Sequence, residues 1–264
     1  LAAGFPFADG VAVITGAASG IGAALAEALA RRGAKLALVD RDGPGVGRIA
    51  RSLGAAAHRL DLADPGAGDI LAEAVDGPVN LLVNNAGIAL GGRFEEVAAE
   101  DFDALMAINF GAVVRLTRAF LPRLRQAREG RIVNVSSVFG LIAPPGQTAY
   151  AASKFAVRGF SEALRAELAG SGVGVSIVHP GGVKTNIAVN AKRPAMSDAE
   201  LAEMARRWEK ALRMPPERAA EIIARGVSLR RARILVGADA HIIDLAQRLL
   251  PVAHAGLLRR LLDA

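Results

Sequence analysis

The sequence predicts an α/β fold: a doubly wound, mainly parallel sheet of about seven strands with helices on both faces. Seven short β-rich apolar runs alternate with helical stretches along the 264 residues, which is the rhythm of βαβ units. The runs are continuous rather than alternating, as Val11-Ala12-Val13-Ile14 shows, and strands buried on both faces require that. Hydrophobic residues make up 52% of the chain and charged ones 22%, enough for a large core and too apolar for disorder.

In order, the strands are read at Val11–Thr15, 35–39, 57–60, 80–83, 131–135, 173–178 and Arg233–Val236, with helical spacing over 21–32, 101–127 and 149–169. No internal repeat, low-complexity tract or boundary interrupts them, so residues 1–264 read as one domain. Two stretches depart from the rhythm. One is an insertion at about 186–216, with a helical stretch around 197–212; the other is a helical extension at about 239–264.

Composition removes several chemistries. With no cysteine, disulfides, thiolate metal sites and cysteine nucleophiles are excluded. His58, His241 and His254 show no ligand spacing, and His179 stands alone before a Pro-Gly turn, so no metal site is expected. Residues 1–10 lack a basic stretch followed by an apolar one, and no uninterrupted apolar run approaches the roughly 18 residues of a membrane span. A cytoplasmic protein is expected. The net charge of +6 is concentrated late, with twelve Lys/Arg against six Asp/Glu from 205 to 264. Those cations are scattered through helical sequence without aromatic interleaving, which reads as a solvated basic face rather than a nucleic-acid surface.

The first strand runs into Thr15-Gly16-Ala17-Ala18-Ser19-Gly20-Ile21-Gly22, which opens a helix. Glycines allow a sharp turn and close approach, and the helix N-terminus offers N–H groups with partial positive charge, so a pyrophosphate fits there. The second strand ends in Val39-Asp40. An acidic side chain at that point accepts hydrogen bonds from ribose hydroxyls and repels a 2′-phosphate, favouring NAD over NADP. Arg41 is the counter-argument, since a guanidinium can pair with that phosphate.

Tyr150 is the only tyrosine, and Lys154 follows it by four residues, on one helical face. A cation beside a phenol favours the phenolate, so the pair is expected to bring the Tyr150 pKa down toward the working range of a general acid/base. Asn134-Val135-Ser136-Ser137 ends the fifth strand, at the edge where open parallel sheets bind ligands. A serine hydroxyl there can hold a carbonyl oxygen near the phenol, while Ser136 reads better as a turn cap.

With the glycine turn, Asn84-Asn85-Ala86-Gly87, Asn109, Ser137, Tyr150-x-x-x-Lys154 and Pro180-Gly181-Gly182-Val183-Lys184-Thr185 in this order, the chain resembles the short-chain dehydrogenase/reductase family over essentially its whole length. The resemblance implies a Rossmann-type fold and a tetrad of Asn109, Ser137, Tyr150 and Lys154. Tyr150 would exchange the proton and Ser137 would polarise the substrate oxygen. Lys154 would bind the nicotinamide ribose, and Asn109 would hold a water linking Lys154 to solvent. It further implies cofactor contacts from Gly16, Ser19, Gly20, Ile21, Gly22, Asp40 and Arg41; from Asp61 and Leu62 at the adenine; from Asn85, Ala86 and Gly87 along the ribose; and from Pro180, Gly181, Val183 and Thr185 at the nicotinamide. Family members commonly form dimers or tetramers, so a symmetric homo-oligomer is expected.

The insertion looks like a mobile substrate loop. Met204 and Trp208, with Leu90, Phe139, Leu141 and Ile142, are the candidate walls, and all are apolar. A hydrophobic secondary alcohol or ketone is therefore expected as substrate. The apolar, arginine-bearing tail is expected to pack on its own domain or a neighbouring subunit, with an anionic membrane surface as the alternative. The rival functions are an NADPH-dependent carbonyl or ketoacyl reductase and a non-catalytic NAD-sensing protein.

Overall fold

A computed structural model describes residues 4–193, 206 and 211–253. Its seven strands are β1 (Val11–Thr15), β2 (Lys35–Asp40), β3 (Ala56–Arg59), β4 (Val79–Asn84), β5 (Gly130–Val135), β6 (Val173–Pro180) and β7 (Arg233–Val236). They form one sheet in the order β3-β2-β1-β4-β5-β6-β7, every pair parallel. The order reverses between β1 and β4, so a crevice opens at their carboxyl ends.

The pleat sends alternate side chains to opposite cores. Ala12 and Ile14 of β1 join a cluster with Leu25 and Leu29 of α1 (Gly20–Ala30) and Ile223 of α6 (Pro216–Ser228). Val11 and Val13 join the other, with Leu71 of α3 (Ala67–Ala74), Leu116, Phe120 and Leu124 of α4 (Ala99–Gln126), and Leu164 of α5 (Thr148–Glu167). By length and a mean hydropathy of 1.4, α4 could cross a membrane, yet Phe120 and Leu124 are fully buried in this core. Its middle is a π turn, Ala107–Gly111, which inserts an extra residue into the helix at Asn109.

Strands and long helices lie where the sequence places them, with shifted ends: β2, β4 and β6 run on through Asp40, Asn84 and Pro180. α2 (Gly43–Leu53) has no helical signal in its Gly-Pro-Gly-Val-Gly start. It forms because Asp42 accepts the Gly45 N–H at 2.9 Å and Gly54 ends it at φ +62°. The helix expected at 197–212 falls almost wholly outside the described residues. In the tail, α7 (Ala238–Leu249) buries Ala240 and Asp244 but exposes Ile242, Leu245 and Leu249. That apolar stripe is left uncovered by the described residues of its own domain, which leaves the neighbouring subunit as the other half of the expectation.

Candidate active site at the carboxyl edge of the sheet

The loops leaving β1 and β4 are joined to each other. The Thr15 hydroxyl accepts the N–H groups of Asn85 and Ala86, both at 3.0 Å, and donates to the Val83 carbonyl. Asn85 returns the contact through its amide, which donates to the carbonyls of Thr15 and Gly16 at 2.9 and 3.2 Å. Gly16 and Gly20 take φ of +66° and +56°, a region that strains L side chains. Gly22 is needed for space instead, because a Cβ there would lie 2.1 Å from the Gly16 oxygen. Ser19 stands at the N-cap of α1 without capping it by its side chain, so the first-turn N–H groups, Ile21 among them, remain available to an anion. Thr185 closes the turn from above, its Cγ2 3.1 Å from where a Gly20 Cβ would be.

Asp40 is set in place by backbone alone. One carboxylate oxygen accepts the Ala18 N–H and the other the Asp42 N–H, both at 3.0 Å. Beyond it, Arg41, Asp42, Arg59, Leu60 and Asp61 line an open cavity of about 570 Å³. Asp61 also accepts the Ala63 N–H at 2.9 Å. The Leu62 side chain is buried in the core with residues of α3 and α4, which leaves its backbone as the part that could meet a ligand.

Ser137, Tyr150 and Lys154 come together where β5 ends against α5. Lys154 is 3% exposed; its ammonium donates to the Val135 carbonyl at 3.1 Å and lies 5.6 Å from the centre of the Tyr150 ring. The Ser137 hydroxyl lies near enough to the phenol to act on its ionisation and accepts the Phe139 N–H at 3.1 Å. Ser136 turns the other way, donating to the Lys154 carbonyl at 2.9 Å, a structural tie as expected. Gly87 lies between Asn109 and Lys154: a Cβ there would sit 3.1 Å from the Asn109 Oδ1 and 3.4 Å from the Lys154 Nζ. Asn109 is fully engaged in holding this loop. Its Oδ1 accepts the Ile88 N–H at 2.8 Å, and its Nδ2 donates to the Ile88 carbonyl and the Ser153 hydroxyl.

Residues 10–195 match the family model of short chain dehydrogenases. The chain belongs to that family. It is 45% identical to the putative oxidoreductase SadH of Mycobacterium tuberculosis over 255 residues, 92% of each chain, and 40% identical to D-threitol dehydrogenase of Mycolicibacterium smegmatis over 67% of this chain and 71% of that one. Among solved structures it is similar to a short-chain dehydrogenase/reductase from Burkholderia phymatum in complex with NAD, with a TM-score of 0.83, 32% identity and coverage of 97% and 96%. A short-chain dehydrogenase from Sphingobium yanoikuyae in complex with NADPH gives 0.75, 31%, and 91% and 94%. The chain is thus an oxidoreductase that acts on CH–OH groups with a nicotinamide cofactor. The residues present fit such a dinucleotide: a turn whose glycines leave no room for a Cβ, an uncapped helix N-terminus and a fixed carboxylate at the end of β2.

In this dehydrogenase Tyr150 and Lys154 are tuned otherwise than the sequence suggests. Burial pushes the Tyr150 phenol up to about 12, with the nearby Ser137 hydroxyl opposing it only in part. Burial pulls Lys154 down to about 8. Without a bound nicotinamide the ammonium is not among the causes acting on the phenol: Lys154 donates to a carbonyl and lies toward the ring, and desolvation governs both groups.

The candidate walls divide. Phe139 meets Tyr150 edge-on with ring centres 6.1 Å apart, and Leu90 packs with Leu105, Ala149 and Tyr150 in a small apolar cluster. Leu141 and Ile142 are buried at 1% and 4% exposure, and Met204 and Trp208 lie outside the described residues. Val183 is buried in the core and its N–H donates to the Gly181 oxygen at 2.9 Å. Sequence reasoning passed over His179 as a working residue. It is fully buried, with Nδ1 3.0 Å from the Ser137 carbonyl, and its strand-end place beside Ser137 was the available signal.

Proposed function

We propose that the enzyme interconverts a hydrophobic secondary alcohol and its ketone with NAD(H). The observation that carries this is the phenol's setting: Tyr150 is flanked by Phe139, Leu90, Ile88 and Phe102, with Ser137 as the polar group beside it. Apolar walls around one hydroxyl pair suit a lone carbinol with hydrocarbon on either side. In the reductive direction the neutral Tyr150 gives its proton to the carbonyl oxygen, becoming phenolate, while Ser137 holds that oxygen. The oxidative direction is the reverse and starts from the phenolate. Bound NAD(H) supplies the hydride that reaches the carbonyl carbon, or accepts the one leaving the carbinol carbon.

NAD is favoured by Asp40, whose pinned carboxylate opposes a 2′-phosphate. The rival, NADP, has its own support: Arg41 and Arg59 line the adjoining cavity, and similar solved structures hold either cofactor. The same reading makes the enzyme a cytoplasmic homodimer or homotetramer. Initial rates over a 2-alkanol series and over threitol, each with NAD and with NADP, test the proposal. Rates rising with chain length and larger with NAD are expected; a preference for the polyol or for NADP overturns the corresponding half. NADH and NADPH titrations of the Asp40→Ala variant locate the cofactor preference, with weakened NADH binding expected.

A further inference from the structure

Asp239, in the first turn of α7, reaches back to the turn that follows β6. Its Oδ2 accepts the Gly182 N–H at 2.6 Å. A Cβ on Gly181 would lie 2.1–2.4 Å from the three carboxyl atoms of Asp239, and one on Gly237 would lie 2.2 Å from its Oδ1. The carboxylate therefore fills space that side chains at 181 and 237 would need. Neither Gly181 nor Gly182 has a positive φ, so this pair of glycines is explained by crowding rather than by conformation.

Gly182 is held from the opposite side as well. Its carbonyl accepts the N–H groups of Arg213 and Met214, both at 3.0 Å, and the Lys184 N–H donates to the Met214 carbonyl at 2.8 Å. A Cβ on Gly182 would lie 1.9 Å from the Ala211 oxygen. Gly181 meanwhile donates to the Val236 carbonyl at 2.9 Å. Three separate parts of the chain thus converge on Gly181–Val183: the end of β7, the start of α7 and the last residues of the 186–216 segment.

We propose that Asp239 is a positioning residue that locks the Pro180–Thr185 turn and the end of the 186–216 segment into one register. The C-terminal extension then serves both the cofactor turn and the substrate segment through a single carboxylate. The proposal rests on reading the turn as part of the nicotinamide site. A charged acceptor on a backbone N–H is a strong hydrogen bond, and its removal leaves the turn and the segment tied to each other by neutral backbone bonds but no longer anchored to α7.

The test compares Asp239→Ala and Asp239→Asn with the wild type, each first shown by thermal melting to fold. Two readouts are taken without substrate. One is NADH and NADPH affinity by fluorescence titration; the other, in cofactor-free protein, is the rate of trypsin cutting within residues 206–213, where Arg206, Arg207, Lys210 and Arg213 supply sites. Asp239→Ala is expected to weaken the preferred cofactor and speed cutting, each about tenfold, while Asp239→Asn, which keeps an acceptor oxygen, stays within about threefold on both. Wild-type values for Asp239→Ala on either readout overturn the proposal, and so does an Asp239→Asn that behaves like Asp239→Ala. A wild-type protein that binds neither nucleotide would instead remove the nicotinamide reading and leave the protease comparison standing.

Discussion

At the junction after β1 the polar groups are answered by backbone: Thr15 and Asn85 exchange hydrogen bonds with each other's loops, and both Asp40 oxygens hold an N–H. Two strands along, after β5, the polar groups are buried or half-buried and poorly answered. Tyr150 is held in its neutral form, the Lys154 ammonium donates to a backbone carbonyl, and His179 keeps a buried Nε2 with no hydrogen-bond partner among the described residues. The difference follows from the tasks. A flexible, charged ligand needs a surface set in advance, whereas a proton relay needs groups whose charge is not already stabilised in the resting protein.

The sharpest way to break that comparison is Tyr150→Phe. It removes the relay and leaves the binding junction untouched, so kcat/KM should fall about a thousandfold. NADH affinity, read by titration, should stay within about twofold; a parallel loss of binding would mean that the two junctions are not separate.

Lys154 gives the next largest effect, through pH. Its folded value is depressed from 10.5 to about 8. Between those values the unfolded chain binds the extra proton, so this term raises stability as pH climbs from 8 to 10.5 and is lost as pH falls through 8, by up to about 3 kcal/mol. Tyr150 acts oppositely and later, its raised value removing stability above pH 10. Urea unfolding across pH 7–10 should show the Lys154 rise in wild type and a flatter curve in Lys154→Met. Equal curves would mean that the ammonium is better solvated than its burial indicates.

On the binding side, Gly22→Ala presses a methyl against the Gly16 oxygen. It should cost about 2 kcal/mol in urea unfolding and weaken NADH, while the kcat of the saturated enzyme changes far less. Here a fall in kcat as large as the loss of affinity would place the turn in the chemistry.

The binding junction was also the more legible in the sequence. Its strands are unbroken apolar runs and its glycines stand at the turn itself, so the sequence points directly to Gly16–Gly22 and Asp40, and to Asn85 through the family resemblance. The reacting junction was legible as residue types only. Spacing places Lys154 beside Tyr150, but whether charge or burial dominates depends on which carbonyl the ammonium reaches, and no spacing rule encodes Val135. The π turn at Asn109, the inward packing of Val183 and Leu62, and the Asp239 contact are likewise settled by tertiary packing. α2 shows the same limit locally: Gly45 looks like a helix breaker until the Asp42 carboxylate occupies the place of its Cβ.

The smallest effect is the most discriminating. The Ser137 carbonyl can only accept, so the His179 Nδ1 carries the proton and donates, alongside the Gly140 N–H at 3.0 Å. The neutral ring's Nε2 is then a bare acceptor in the core, a feature that lowers stability and is retained, on this reading, because the donor fixes the peptide of the catalytic serine. Burial holds the ring at about 4 against an ordinary 6.5, so stability should fall as pH drops from 6.5 towards 4, where the unfolded chain binds more protons. His179→Leu removes the donor and the bare acceptor together. Its stability at pH 7 should lie within about 1 kcal/mol of wild type, its acid-side slope should flatten, and its kcat should drop several-fold; His179→Asn, whose amide can still donate, should recover most of that loss. An unchanged kcat in His179→Leu would show that the Gly140 N–H alone holds the serine, and the reacting junction would then be less dependent on buried, unanswered groups than its comparison with the glycine turn implies.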